Sequence, residues 1–581
     1  MVNLMVFRHV ILYKYIYMLY DYAIYGMGPS GINLALELSR LFPDKKILCI
    51  EKESKIGGCW RVEWQNGLFT EHSPRVLLDK ELPKFFKKIG LNYDDETVNT
   101  YGTIFETNYK MYKTYFDNFN IYDIFKLVKS FILRDYKNKT ILEWVKKNNI
   151  SEKGRLMLRI ICILIANSPD KLLMSEIFAN STDGFLKIKQ FKDNEKWLDI
   201  VEDIIRKNKN IILLTNTELI NIKNDKAILK MNNDISNLFN VNVKNHLLTL
   251  PPKALYTFLS NQDEELKNNF GDINRIKNIV EFGSYYSLGF QLHFDQEIKW
   301  NDKWCWSCFN DYNLIILPTS KYTDKFTKNK EIKSVWSCTI VDTSNVVKKR
   351  GKKIDELSKD EIIEDVLEII KITTNVKPKY ITFYDGTKKE NGRWISKDNS
   401  FSLSKYGIIN AKGKMNNIFS IGSHNTEGIT TIGKAIKNSN LFIEKYILNK
   451  NINNMKTIYF YIGVLLLFGV FMESFYGKIS DINATYQMIV KRNMPFPELA
   501  TFYAIFIQIF TIFMVYQKLV NKKNYSFGGF DLDKLGLKGL IIFTLLATYY
   551  YHNVFKNPKE IYHFFKNLSI VGGLLMLHEV I

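Results

Sequence analysis

The chain has 581 residues and 80 lysines and arginines against 60 acidic residues, a net charge of +20. A chain of this length is too long to fold around a single hydrophobic core, so we predict two to four domains. The basic residues are spread along the chain and accompany no recognition motif, which excludes nucleic acid as an expected partner. The six cysteines are too few and too scattered for a disulfide framework, and they indicate a reducing compartment.

Residues 1–17 are rich in apolar side chains but carry Arg8, His9 and Lys14. Their longest uncharged run is too short to cross a bilayer, and no small-residue cleavage site follows. We interpret 1–17 as an extension upstream of a translation start at Met18. An additional strand or an interfacial segment is the alternative.

A glycine-rich turn follows the first predicted strand, 22–25, and precedes a predicted helix, 32–41. In this strand–turn–helix arrangement Gly26 permits the turn, and Gly28 lets the backbone approach a pyrophosphate. Gly31 allows the helix to pack closely on the strand. The helix N-terminus then points at the phosphates, so the motif predicts a dinucleotide site.

A second predicted strand, 46–50, ends in Glu51, about twenty residues beyond the glycine turn. An acidic residue at this position is placed to bind the ribose hydroxyls of a dinucleotide. The strand, turn, helix and acidic strand end together form the context that the glycine motif requires.

The residues after Glu51 favour FAD over NAD. A GG turn and an arginine, Gly57-Gly58-Cys59-Trp60-Arg61, are followed by the stretch 66–77. This arrangement resembles the flavoprotein group that contains the amine oxidases, protoporphyrinogen oxidase, phytoene desaturases and UDP-galactopyranose mutase. The resemblance recurs at 247–255, an apolar strand closing in two prolines, and at 418–436, a final strand and helix.

In that group the acidic strand end, the GG turn and the arginine wrap FAD, and the last helix start favours the anionic reduced flavin through its partial positive charge. The resemblance therefore implies FAD as the cofactor. We expect no metal site and assign no catalytic residue. The residues expected to bind the cofactor are Gly26, Gly28, Ser30, Gly31, Glu51, Lys52, Gly58, Trp60, Arg61, Leu219, Gly422 and Thr431.

The middle of the chain is predicted to be mostly helical from 76 to about 200, and strands return from 211. Thr140 and Glu143 have the spacing of a capping box at a helix start. The strand around Leu219 is expected to approach the adenine. We predict a discontinuous FAD-binding domain (18–75, 205–260 and 385–450) interrupted by a substrate domain (76–204 and 261–384).

Two departures from the group's pattern bear on the reaction. Amine oxidases of the group carry a lysine opening the strand that corresponds to 288–294, and none opens it here. This puts amine oxidation in doubt and leaves hydride removal of the desaturase or protoporphyrinogen-oxidase type. His424 stands where an acidic residue commonly supports the cofactor, which implies weaker FAD binding.

Two polar motifs have competing interpretations. One motif consists of Glu71, His72 and Arg75, which could act as an acid–base group near the flavin. The favoured interpretation is that Glu71 and Arg75 form a structural pair. Cys305 and Cys308 have the spacing of a redox pair or half a zinc site. Core packing is favoured because no second ligand pair accompanies them.

Beyond 456 the chain has uncharged runs at 457–472, 499–516 and 539–555 and a shorter one at 567–577. Runs of this length predict a multi-pass membrane domain. The segment 455–581 resembles the DoxX family of four-helix membrane proteins at 494–500, 551–553 and 563–575, and this resemblance implies a quinone-linked redox partner.

Gln508 and His552 lie within or at the ends of the predicted spans. They are either functional groups or interhelical hydrogen-bonding groups. Lysines are slightly more numerous on the side of the linker to the flavin domain, which predicts a cytoplasmic flavin domain.

The expected fold class is α/β, a Rossmann-like FAD-binding domain with an inserted α+β substrate domain, followed by an all-α transmembrane four-helix bundle. The expected function is a membrane-anchored FAD-dependent oxidoreductase that removes hydride from an apolar or amine small molecule and passes electrons to quinone or oxygen. The alternatives are a non-catalytic membrane scaffold with a flavin fold and a redox-neutral flavin mutase.

Overall fold

The structure is a computed structural model. It describes residues 18–71, 75, 77, 81–99, 104–105, 111–112, 120–133, 135–164, 168–181, 189–223, 225–232, 237–283, 287–299, 307–308, 311–371, 374–395, 406–426, 430–448, 452–521, 525–527, 530–552 and 557–580. The N-terminal extension, His72 and Cys305 lie outside these residues. The chain divides into two compact units, Met1–Asn449 and Lys450–Ile581.

The strands in chain order are β1 (Leu19–Tyr25), β2 (Ile47–Ile50), β3 (Glu63–Gln65), β4 (Leu68–Thr70), β5 (Thr97–Asn99), β6 (Ile104–Phe105), β7 (Met111–Tyr112), β8 (Lys189–Phe191), β9 (Ile211–Leu214), β10 (Thr217–Lys223), β11 (Lys226–Met231), β12 (Leu238–Leu248), β13 (Ser287–Phe294), β14 (Ser307–Cys308), β15 (Leu314–Leu317), β16 (Ser334–Val341), β17 (Val346–Val347), β18 (Lys352–Lys353), β19 (Tyr380–Phe383), β20 (Lys388–Glu390), β21 (Arg393–Ile395), β22 (Ile418–Ser420), β23 (Ser526–Phe527) and β24 (Phe530–Asp531).

The helices in chain order are α1 (Pro29–Leu41), α2 (Glu81–Lys88), α3 (Tyr93–Glu96), α4 (Ile121–Leu133), α5 (Ile141–Lys147), α6 (Glu152–Leu164), α7 (Met174–Ser181), α8 (Lys196–Lys207), α9 (Pro252–Ser260), α10 (Glu264–Lys267), α11 (Ile273–Gly283), α12 (Thr319–Tyr322), α13 (Lys359–Ile370), α14 (Ile432–Phe442), α15 (Ile452–Ser480), α16 (Ile482–Lys491), α17 (Pro497–Leu519), α18 (Leu532–Tyr551) and α19 (Ile561–Val580).

The first sheet of the first unit has the order β10-β11-β12-β1-β2-β9, with β22 paired to β12. β1 pairs in parallel with both β2 and β12, and β9 and β22 extend the parallel part. Every residue of β2 is buried, as expected for a parallel strand covered on both faces. The strands come from three separate stretches of sequence, because parallel neighbours need crossover connections.

Helices cover both faces of this sheet. On one face Leu38 of α1 and Val201 of α8 pack with Phe442 of α14 against the alternate strand residues. On the other face Leu255 of α9 and Ile276 of α11 lie in a second apolar cluster. The glycine turn after β1 therefore sits at the carboxyl edge of a rigid three-layer core.

The second sheet has the order β19-β13-β16-β15-β14-β6-β7. Its central strands β13 and β16 pair antiparallel along their whole length, and all their residues are buried. Helix α13 packs its apolar face on this sheet through Ile362 and Val366. The strand expected at 288–294 is confirmed as part of β13.

The described residues between 76 and 200 are mostly helical, as predicted. Helix α5 begins with the expected capping box. The Thr140 side chain accepts a hydrogen bond from the Glu143 backbone, and the Glu143 carboxylate accepts one from the Thr140 amide at 2.8 Å. This reciprocal pair satisfies two otherwise free donors of the first turn.

In the second unit the long helices α15, α17, α18 and α19 share one apolar cluster that includes Phe471, Val515 and Leu574. Segments Phe460–Ser480 and Pro497–Leu519 are long and apolar enough to cross a membrane. Sequence analysis missed the short helix α16 between them. Its first-turn amide is capped by Asp481, whose carboxylate accepts from Ala484 at 2.8 Å.

Candidate functional site

The glycine turn between β1 and α1 is held by backbone contacts. The Gly26 amide donates to the Ile50 carbonyl at 2.8 Å, and Gly26 has a positive φ of 97° that favours glycine. A Cβ added to Gly31 would lie 2.1 Å from the Gly26 carbonyl oxygen, whereas one added to Gly28 would meet nothing within 4 Å. The structure thus places a close packing contact at Gly31 and open space at Gly28.

The second glycine turn, at Gly57 and Gly58, reaches the first one. The Gly57 amide donates to the Met27 carbonyl at 2.8 Å, and a Cβ on Gly58 would lie 3.3 Å from the Gly28 Cα. The two turns therefore pack against each other beside the open space at Gly28, although thirty residues separate Gly28 from Gly58 in sequence.

Glu51 lies beside these turns, with its carboxylate anchored by backbone amides. Its Oε2 accepts from the Met27 amide at 2.7 Å and its Oε1 from the Glu53 amide at 3.0 Å. Burial raises the pKa of Glu51, and these two hydrogen bonds oppose that rise. Each oxygen keeps a lone pair, as the role of ribose acceptor requires. Lys52, by contrast, points to solvent 3.9 Å from the Glu53 carboxylate.

The strand expected to approach the adenine starts next to Glu51. The Thr217 amide at the start of β10 donates to the Glu51 carbonyl at 2.9 Å. Leu219 lies two residues further on, half-buried, at a bulge in the pairing of β10 with β11.

Arg75 holds the turn that contains Trp60. Its guanidinium donates to the carbonyl oxygens of Trp60 at 2.7 Å, Arg61 at 2.7 Å and Cys59 at 3.3 Å. Its Nε lies 3.2 Å from the carboxylate of Glu71, and both side chains are buried. The Glu71–Arg75 pair of the favoured interpretation is present in the structure. Burial raises the pKa of Glu71, and Arg75 and Ser337 oppose that rise.

Trp60 and Arg61 face away from each other. The Trp60 ring packs edge-on against Phe191 with centroids 5.9 Å apart. The Arg61 guanidinium donates to the Asp199 carboxylate at 2.6 Å and to the Glu202 carboxylate at 3.2 Å, both on α8. Arg61 therefore anchors its loop to α8, and contact with a cofactor stays a prediction.

Gly422 follows β22 and is enclosed by polar side chains. Its amide donates to the Asn425 side chain at 2.7 Å, and its carbonyl accepts from Asn438 at 2.8 Å. A Cβ on Gly422 would lie 2.5 Å from the His424 ring. Burial lowers the pKa of His424 to about 3, so this imidazole is neutral at physiological pH and is hydrogen-bonded to Ser420 at 2.9 Å.

Thr431 caps the helix that follows Gly422. Its hydroxyl accepts from the Lys434 amide at 3.1 Å at the start of α14. Helix α14 packs on α1, where the Ser30 hydroxyl donates to the Ala435 carbonyl at 3.3 Å and Asn33 donates to Ser439 at 2.8 Å. The two helix starts expected to face the cofactor therefore belong to one packed pair.

Sequence analysis missed Gln291, which ties the segment after β4 to the second sheet. This fully buried side chain accepts from the Glu71 amide at 3.2 Å and donates to the Glu71 carbonyl at 2.8 Å. Its Nε2 also lies 3.3 Å from the Ser337 hydroxyl. The available signal was an amide side chain at an interior position of β13, a strand in which every residue is buried.

The residues around Gly28 fit a dinucleotide. The open space at Gly28, the adjacent N-terminus of α1 and the anchored Glu51 carboxylate supply room, positive partial charge and a hydroxyl acceptor. Among the residues described by the structure, no group of three His, Cys, Asp or Glu side chains is arranged to hold a metal ion.

Comparison with solved structures identifies the class of fold. A putrescine oxidase bound to putrescine aligns with a TM-score of 0.52 at 13% identity, covering 74% of this chain and 99% of that chain. The likeness shows that this chain shares the fold of putrescine oxidase, in agreement with the fold implied by the flavoprotein resemblance.

Two further solved structures align over a similar share. Cyclohexylamine oxidase from Brevibacterium oxydans has a TM-score of 0.47 at 11% identity, covering 73% of this chain and 99% of that chain. An oxidoreductase from Methanosarcina mazei has a TM-score of 0.48 at 13% identity, covering 74% and 100%. No protein-family model matches the sequence, and no curated protein matches it.

Proposed function

We propose that the chain is a membrane-anchored FAD-dependent oxidoreductase that removes hydride from an apolar or amine small molecule. The observation that carries the flavin assignment is the meeting of both glycine turns beside Glu51, with open space at Gly28. The fold shared with putrescine oxidase supports the same assignment.

In this proposal Glu51 binds the ribose hydroxyls, and Gly28 and the start of α1 receive the pyrophosphate. Arg75 keeps the Gly58–Arg61 turn in place through three backbone carbonyls, so it positions the cofactor pocket without touching the cofactor. Gly422 and the capped start of α14 complete the pocket on the other side. Bound FAD would supply the two-electron acceptor for the hydride.

The test of cofactor binding is the visible absorption spectrum of the detergent-purified full chain, together with Glu51→Gln and the matched control Glu53→Gln. The wild type and E53Q are expected to carry flavin, because the Glu53 side chain is half-exposed and only its backbone amide binds Glu51. E51Q is expected to lose most of the flavin. Protein without bound or bindable flavin would refute the proposal.

The second unit is proposed to anchor the chain as a DoxX-like multi-pass bundle, with quinone or oxygen as the electron acceptor. The two span-length apolar segments support this placement, and α18 and α19 add two long helices that share their core. The experiments are extraction of membranes with alkaline carbonate and anaerobic addition of an oxidised quinone analogue to the photoreduced flavin. Release of the chain would refute the anchor, and a flavin that stays reduced after the quinone is added would refute the quinone link.

A non-catalytic scaffold is the second candidate. The observation that favours it is the neutral, enclosed His424, which replaces an acidic group expected to support the cofactor. This candidate predicts bound flavin that, once reduced, is not reoxidised by oxygen or quinone. Rapid reoxidation by either acceptor would exclude it.

A further inference from the structure

One end of the second unit carries a cluster of ionisable side chains. The cluster consists of Arg492 after α16, His552 after α18, Glu560 before α19 and His563 in the first turn of α19. Two separate connections of the chain, α16–α17 and α18–α19, therefore bring cations to one place.

Contacts hold these side chains together. The His552 Nδ1 lies 2.8 Å from the Glu560 carboxylate, and the His552 and His563 rings stack with centroids 4.9 Å apart and planes inclined by 23°. The Arg492 guanidinium lies over the Tyr551 ring, 5.2 Å from its centroid. The cationic groups lower the pKa of the Glu560 carboxyl, with the His552 hydrogen bond as the largest cause.

The cluster has more cationic capacity than Glu560 can neutralise. Arg492 and His563 are exposed, and neither side chain has a hydrogen bond or ion pair to another residue within the described part of the chain. Their donors are therefore available to an oxyanion from outside.

Lys491 on α16, Lys559 beside Glu560 and Lys566 on α19 are further cations on the neighbouring elements. The acidic groups on these elements include Asp481, which caps the start of α16, and Glu498 on α17, whose carboxylate accepts a hydrogen bond from the Tyr486 hydroxyl at 3.0 Å.

We propose that Arg492, His552 and His563 form a binding site for the phosphate group of an anionic phospholipid. The proposal rests on the membrane placement of the second unit. Tyr551 and Tyr562 support it, because aromatic rings at the ends of spans lie at the headgroup level of a bilayer. The Tyr562 ring meets the His563 ring edge-on at 5.5 Å.

The experiment is isothermal titration calorimetry of the full chain in detergent with dihexanoyl-phosphatidylglycerol. Dihexanoyl-phosphatidylcholine and inorganic phosphate are the comparison ligands. We expect phosphatidylglycerol to bind more tightly than either comparison ligand. Equal affinity for phosphatidylcholine would overturn the proposal, and equal affinity for inorganic phosphate would overturn the lipid assignment.

Arg492→Gln and His563→Gln are each expected to weaken phosphatidylglycerol binding about tenfold, since each removes a charge-assisted hydrogen bond. Lys518→Gln is the matched control. Lys518 lies near the far end of α17, about 30 Å from the start of that helix at 1.5 Å per residue. Unchanged helix content by circular dichroism separates lost binding from lost folding, and an equal loss in K518Q would overturn the site.

Failure of the membrane placement gives a different result. Release of the chain by alkaline carbonate would refute the anchor and this site together. Retention in the membrane with no preference for phosphatidylglycerol would refute the lipid site alone.

Discussion

Gly28 and Gly31 lie three residues apart in one turn, yet replacement of each by alanine is expected to affect the stability of the protein differently. Gly31→Ala would place a methyl group 2.1 Å from the Gly26 carbonyl oxygen, a backbone atom that cannot move aside as a flexible side chain can. Forced insertion into a packed site costs about 1–3 kcal/mol, and a contact this short with backbone belongs at or above the upper end. We expect G31A to lose about 3 kcal/mol of unfolding free energy.

Gly28→Ala adds the same methyl group where nothing in the protein lies within 4 Å, at a φ of −77° that alanine adopts freely. We expect its unfolding free energy to stay within about 1 kcal/mol of the wild type. The methyl group would occupy the space assigned to the pyrophosphate, so bound flavin is expected to fall sharply. Stability and flavin content thus separate in G28A and fall together in G31A.

The assay is guanidinium unfolding followed by tryptophan fluorescence, with flavin content measured from the visible spectrum of the same preparation. All nine tryptophans precede residue 450, so their fluorescence reports on the first unit. Stability should be compared after flavin is removed, because a bound ligand adds to apparent stability. Full flavin content in a folded G28A protein would refute the placement of the dinucleotide, and an unperturbed G31A would refute the packing argument.

Three further outcomes follow from the contacts. Arg75→Gln should lower the unfolding free energy by about 3–5 kcal/mol in guanidinium, because it leaves Glu71 as an unpaired buried charge. Arg40→Gln should cost at most about 1 kcal/mol, because Arg40 is exposed and its partner Glu37 also pairs with Lys88. Gly536→Val should lower the thermal stability of the second unit by about 1–3 kcal/mol, since a Cβ there lies 3.1 Å from α17 backbone, whereas Gly469→Val meets open space. Acid should destabilise the first unit as the pH falls from about 6.5 towards 4, because three buried histidines stay neutral in the folded chain and take up protons when it unfolds. Each of these histidines should lower the free energy of unfolding by about 2 kcal/mol at pH 5 relative to pH 7, as measured by guanidinium unfolding. A Gln variant of one of them should recover part of this lost stability. The histidines whose pKa burial lowers are His246, to about 4, His293, to about 4, and His424, to about 3.

The sequence by itself determined the features that depend on neighbours along the chain. The strand, glycine turn and helix from β1 to α1 follow from local spacing, and so does the capping box at Thr140, because each is built by residues within a few positions of one another. The long apolar helices of the second unit were also readable, since their length and composition are local properties.

Tertiary structure decided which polar side chains meet. Arg61 pairs with Asp199, 138 positions away, and Gln291 binds the backbone of Glu71 across 220 positions. No local pattern selects those partners, because many acceptors are equally compatible with an arginine or an amide in one stretch of sequence. Packing of α8 and of the second sheet brings these acceptors into reach, and full burial of Gln291 makes an unmatched amide costly enough to fix its partner.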